Sequence, residues 1–241
     1  MLQYLHLPLF IPTFVAVLLR PLAFFRAYHE LVKTRPGSFW DLNAEKEGDP
    51  YLGPVKFSAL AIAISNLVLP LFLSLGVEVG AVSRDFAQFA EWAEQQGYLK
   101  QPEFTDVWFI DDVIREVLLL AMYYGLGHLI ALFSGRRIPA RFAAGYFFYW
   151  NAWNLLGSLV GVAFIFIGLV FPIFHTGWPF LIDQAISVVG IFMFVGFPIL
   201  FWPRILDVSW QRAAVALVGG MAVWIGALAV LAPLVVDVPE F

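Results

Sequence analysis

The stretch AAGYFFYWNAWNLLGSLVGVAFIFIGLVF, Ala143 to Phe171, carries no charged side chain from end to end. About 20 apolar residues in a helix cross a hydrocarbon core roughly 30 Å thick, so this run is long enough to span a bilayer. Its first part, YFFYWNAWN (Tyr146–Asn154), is crowded with aromatic rings, as helix ends at a membrane–water interface are. Yet Asn151 and Asn154 stand three residues apart, on one face of the same helix.

The whole chain shares the bias. Of its 241 residues 61% are hydrophobic and 13% charged, with a mean hydropathy of +0.81, whereas soluble domains use roughly 45–50% apolar and about 25% charged residues. The composition is that of an integral membrane protein whose first partner is the lipid bilayer. Cysteine is absent, which excludes disulfide frameworks and thiolate metal sites. A net charge of −4 gives no reason to expect nucleic acid, whose binding needs a concentrated basic face.

Four further apolar runs lie between charges: Phe57–Val77, Val113–Phe133, Trp178–Trp202 and Ala213–Val236. With Ala143–Phe171 they predict an all-α, polytopic membrane protein of five transmembrane helices. The connections are a polar segment from Glu78 to Asp106, a basic turn SGRRIPAR, an uncharged turn PIFHTGWP and a short loop around RILDVSWQR. In the polar segment, Phe86, Phe89, Ala90 and Ala93 recur at helical spacing, so residues 78–106 read as an amphipathic segment on the outer surface. Residues 54–241 thus form the transmembrane domain.

Residues 1–53 form an N-terminal arm. Its apolar piece LPLFIPTFVAVLL (Leu7–Leu19) is too short to span and is interrupted by Pro8 and Pro12. It is expected to lie in the interface or to dip in and return, followed by RPLAFFRAYHELVKTR as an amphipathic surface helix. A signal peptide is not expected, because no basic region precedes it and Arg20-Pro21 stands where a cleavage site of small residues would be.

Five alternating spans put Arg20, Arg26, Lys33, Arg35, Lys46, Lys56, Arg136, Arg137, Arg141, Arg204 and Arg212 on one side, against Arg84, Lys100 and Arg115. The positive-inside rule then places the N-terminus in the cytoplasm and the C-terminus outside.

Counting depth at ~1.5 Å per residue, Asn66, His128, Asn151 and Asn154 could meet in one intramembrane polar layer. Two readings stand side by side. Amides and imidazoles hydrogen-bond helices together in bundles, and intramembrane polar groups also line paths for substrates, ions or lipid headgroups. At the outer end of the second span, Asp111, Asp112, Arg115 and Glu116 form a charge cluster at helical spacing, and Asp183 enters the fourth span from the same side, within reach of an ion pair to Arg115. The four histidines suit neither a paired haem ligation nor a metal site, and no HExxH, GxSxG, P-loop or GxGxxG sequence occurs. No cofactor, metal or catalytic role is expected. Gly157 and Gly161, at GxxxG spacing, are candidates for helix packing within the bundle or across a homo-oligomer.

Several short motifs together resemble the Yip1-domain family of five-span membrane proteins. They are LRPLAFFR (Leu19–Arg26) in the arm, YLGP (Tyr51–Pro54) at the entry to the first span, GLGHLIALFSGRR (Gly125–Arg137) closing the second, a tyrosine in the third (Tyr146 or Tyr149), and VSWQRAAVAL (Val208–Leu217) entering the fifth. The acidic segment 78–106 and the proline-interrupted start depart from that pattern. The resemblance implies a non-catalytic protein that organises or adapts other membrane components, in a family whose eukaryotic members are associated with Rab GTPases and vesicle traffic. It also implies a bacterial cytoplasmic (inner) membrane location for a prokaryotic-type member, or otherwise a Golgi or endoplasmic reticulum membrane. Two other functions are compatible with the residues: a small carrier or channel for a lipid or weakly polar solute, using the polar layer, and an accessory subunit of a larger membrane complex.

Overall fold

The computed structural model describes residues 7–35, 37–43, 49–65, 108–170, 185–186 and 188–235. Among them every regular element is a helix. In chain order they are α1 (Leu7–Leu19), α2 (Pro21–Thr34), a 3₁₀ turn at Phe39–Asn43, α3 (Pro54–Ser65), α4 (Trp108–Phe133), α5 (Ala140–Val170), α6 (Val188–Leu206) and α7 (Trp210–Val235). Each apolar run overlaps one of the last five; residues 66–77 of the first run, 178–184 of the fourth and the amphipathic segment expected at 78–106 lie outside the described residues. By length and composition α6 is long and apolar enough to cross a membrane; α5 has 31 residues and α7 has 26.

The turn between α4 and α5 is written in its sequence. Gly135, at φ 64°, follows the helix end in the left-handed conformation that glycine adopts without strain. There Arg136 N–H reaches back to Ala131 O at 2.7 Å and Gly135 N–H to Leu132 O at 2.9 Å, the paired closure of a Schellman end. Ser134 then donates to Ala131 O and accepts from Ile138 N–H at 2.8 and 3.0 Å. The loop before the last helix is tighter than RILDVSWQR suggests, because α6 continues through Pro203 to Leu206 and α7 begins at Trp210. Asp207, left-handed at φ 53°, makes the reversal, and Ser209 caps α7 by accepting from Arg212 N–H at 3.3 Å.

Helix α4 packs between α5 and α7, α6 packs on α7, and α2 bridges α5 and α6. The α4–α5 approach is close because Gly127 has no side chain: a Cβ there would stand 2.4 Å from Ala144 N. Close packing was expected at Gly157, where an added Cβ would meet Ile186 at an ordinary 3.7 Å. Tighter contacts fall at Gly127, at Gly145, which lies under the Tyr28 ring, and at Gly219 and Gly220 of α7, where an added Cβ would stand 2.8 Å from Phe133 and 2.9 Å from Ile130.

The arm is part of this core. Helix α2 buries Phe24, Phe25, Tyr28, His29 and Val32, so the apolar face of the expected surface helix is covered by protein. Helix α1 forms despite Pro12. Thr13, fully buried, donates to Leu9 O at 2.6 Å and accepts from Leu52 N–H at 2.8 Å, which ties the helix to a residue distant in sequence. Phe10 of α1 stacks on Phe57 of α3, 5.2 Å between ring centres, and Asn43 Oδ1 accepts from Val55 N–H at 2.8 Å to close the first turn of α3.

Candidate functional site

The opening stretch turns out to be the hub. Tyr146, Phe147, Phe148 and Tyr149 are all buried, because α5 is flanked there by α2, α4 and α6. An aromatic belt seating this helix at the lipid interface was the expectation; what is found is an aromatic core, with rings from α2, α5 and α6 packed in stacked, tilted and edge-to-face pairs. Phe25 lies 4.6 Å from Tyr146, which meets Trp202 at 5.2 Å and 87°.

Three polar tips in the hub answer specific backbone needs, whereas Trp202 Nε1–H is buried with no hydrogen-bond partner among the described residues. Helix α6 contains a π turn at Phe192–Gly196, with Phe197 N–H bonded to Phe192 O. The carbonyl of Met193 has thereby lost its α-helical donor, Phe197 N–H, and the next residue along is Pro198, which has no N–H to give. The Tyr146 hydroxyl donates to that carbonyl. Tyr149 donates to Leu52 O at 2.6 Å, and Trp150 Nε1–H to Gly190 O at 3.0 Å.

Of the expected polar layer, the structure joins two members. Asn151, buried, donates to Ser58 Oγ at 2.6 Å and accepts from Asn154 Nδ2 at 3.1 Å. Ser58 on α3 thus takes the place proposed for Asn66 or His128. Asn154 is exposed, as is His128, whose Nδ1 lies 3.0 Å from Tyr124 O of its own helix. Asn66 and Asp183 lie outside the described residues, as do the side chains of Asp111, Asp112, Arg115 and Glu116; the backbone of those four forms the early turns of α4. Gly161 lies on α5.

A cavity of about 190 Å³ opens beside the hub, between α2 and the segment before α3. The rings of Phe24, Tyr28, Tyr51 and Tyr149 line it, with Glu30, Arg35 and Asp49 among its polar lining. Arg35 Nη2 holds Asp49 with contacts of 2.5 and 2.7 Å. Tyr28 donates to Arg141 O at 3.0 Å; burial holds its phenol far above the usual range, partly countered by the Arg141 charge, so it remains a donor at any physiological pH. Beside it, His29 is buried against Phe142, 5.4 Å between ring centres. Burial lowers its pKa, and neighbouring Lys33 lowers it further.

Sequence reasoning passed over Thr13, Ser58 and the Arg35–Asp49 pair. Phe24, Phe25 and Tyr28, spaced i, i+1, i+4, carried the one available signal. Among the described residues no group of three acidic or histidine side chains could hold a metal ion. The chain matches no family model, no curated protein and no solved structure.

Proposed function

We propose that this protein is a five-span membrane protein with its N-terminus in the cytoplasm, and that it organises or adapts other membrane components through its N-terminal arm. This non-catalytic role is the one implied by the resemblance to the Yip1-domain family. The observation that carries it is the seat of the arm: α1 and α2 are packed into the bundle core, so the outward residues of the arm present a fixed surface. Arg20, Arg26, Glu30, Lys33 and Trp40 are exposed there. The Tyr28–Arg141 hydrogen bond and the packing of α2 on the end of α6 bring α2 to the α4–α5 and α6–α7 turns, so the arm's cations and Arg136, Arg137, Arg204 and Arg212 share one end of the molecule. That distribution supports a cytoplasmic placement of this end. The amide pair supports the structural reading of the polar layer, since Asn151 has protein partners on both its nitrogen and its oxygen.

The test is photo-crosslinking in native membranes from a residue introduced at Trp40 or Arg26, with Val215 and Val218 of α7 as controls. A discrete protein adduct from the arm positions, absent from the α7 positions, is expected. Lipid adducts alone at all four positions would sink the proposal.

A further inference from the structure

We infer that the guanidinium of Arg141 is the centre of a binding site for a phosphate group, at the end of the bundle where the α4–α5 and α6–α7 turns meet α2. The first observation is a cation without a counter-ion. Arg141 Nε and Nη2 are buried and have no hydrogen-bond partner among the described residues, and the charge lies near enough to act on the buried Tyr28 phenol. Arginine does not shed its proton inside a protein, and a buried charge left unpaired is costly. The residue as a whole is only half-buried, so an anion can reach it from the surface.

The second observation is the company it keeps. Phe142, the next residue, packs on His29 of α2 at 5.4 Å and on Trp202 near the end of α6 at 5.7 Å, which sets the two turns side by side. Residues 134–141 and 203–212 carry Arg136, Arg137, Arg141, Arg204 and Arg212 against Asp207 alone. None of these arginines forms an ion pair among the described residues, and all but Arg141 are exposed. The charges of α2 nearby are already matched, Lys33 with Glu30 and Arg35 with Asp49, so the excess of positive charge belongs to the turns.

These features choose the guest. The planar fork of an arginine holds a carboxylate or a phosphate through two parallel hydrogen bonds. A phosphate has further oxygens to turn toward the exposed arginines, which a carboxylate lacks. Phosphate is also the anionic group that a bilayer surface holds at high local concentration. The site rests neither on the count of spans nor on a protein partner for the arm. The same group occurs on an anionic lipid headgroup and on a free phosphate compound.

The experiment is a titration of the intact detergent-purified protein, washed free of endogenous lipid, with inorganic phosphate and with dioctanoyl phosphatidylglycerol at constant ionic strength, read by thermal unfolding and calorimetry. Acetate and dioctanoyl phosphatidylcholine are the controls. Saturable stabilisation by at least one of the two phosphate probes, and none by acetate, is expected. Arg141→Gln should weaken binding about tenfold or more, the scale of charge-assisted hydrogen bonds, whereas Arg212→Gln, at an exposed site, should change it less than about threefold. Arg141→Lys keeps the charge and loses the fork, so it should also bind more weakly, and it tests the same contact if the glutamine variant does not fold. Unchanged affinity in the folded Arg141 variants would overturn the assignment. So would equal losses from Arg141→Gln and Arg212→Gln, which mark a diffuse surface charge, equal binding of acetate, or the absence of saturable binding by either phosphate probe. The two probes identify the source: binding of inorganic phosphate as tight as that of the lipid marks a free phosphate compound, and tighter binding of phosphatidylglycerol than of phosphate or phosphatidylcholine marks an anionic headgroup.

Discussion

Tyr146 shows how one side chain underwrites an irregular helix. The π turn of α6 and Pro198 together leave the Met193 carbonyl without a main-chain donor, and the Tyr146 hydroxyl supplies one inside the core. Tyr146→Phe keeps the ring and removes the donor, so a buried carbonyl is left unpaired, at a cost of about 1–3 kcal/mol. Reversible unfolding in mixed micelles should register that loss, and an unchanged midpoint would mean that water or another donor reaches Met193. The amide pair behaves differently because its members differ in burial. Asn151→Leu strands Ser58 in the core, whereas exposed Asn154→Leu removes one bond of the kind that averages ~0.6 kcal/mol in membrane bundles. The first variant should therefore be clearly destabilised and the second nearly neutral, and the reverse order would assign the amides the wrong roles. The sequence named both asparagines but not their partner, since a serine in an apolar run carries no directional signal.

At the scale of elements, α1 and α2 hold the arm by a few identifiable ties. Thr13 accepts the Leu52 N–H within the core, so Thr13→Val, nearly the same shape, leaves a buried donor unpaired. The expected result is local release of α1, seen as protease cleavage within residues 7–19 at temperatures where α4 to α7 remain intact; simultaneous cleavage of arm and bundle would contradict it. Helix α2 packs on the end of α6 and buries His29 against Phe142, and that burial makes the arm sensitive to pH. Burial, reinforced by Lys33, holds the His29 pKa below its ordinary value, so the unfolded chain binds a proton more readily than the folded one. Stability is then fully present above about pH 6.5 and falls as pH drops below it toward the folded pKa. The opposing groups facing the ring are Glu30, which raises its pKa, and the Ile205 backbone. His29→Gln should flatten the dependence of the unfolding midpoint on pH between about 7 and 5. An undiminished slope would place the titration elsewhere.

For the whole molecule, the bundle helices were legible because a long apolar helix is announced by length and the exclusion of charge, and Ala143–Phe171, Val113–Phe133 and Ala213–Val236 each coincide with one helix to within a few residues. The seat of the arm was not legible for an equally physical reason. The pattern Phe24, Phe25, Tyr28, Val32 is amphipathic whether its apolar side meets lipid or protein, and the partner rings, Tyr146, Tyr149 and Phe197, lie more than a hundred residues away. From sequence alone the arm could be removed before Tyr51 with the bundle left whole. The packing says otherwise: without α1 and α2, the rings of Phe142, Tyr146, Tyr149 and Phe197 lose the side chains that bury them. A chain lacking the residues before Asp49 should therefore aggregate or be degraded, and co-expression of the missing piece as a separate polypeptide should restore a soluble, monodisperse detergent complex. A truncated protein with an unchanged unfolding midpoint would mean that the bundle is complete alone and that the arm is an appendage. The distinction bears on function, because a partner lost on truncation identifies a docking surface if the bundle survives, and reports only unfolding if it does not.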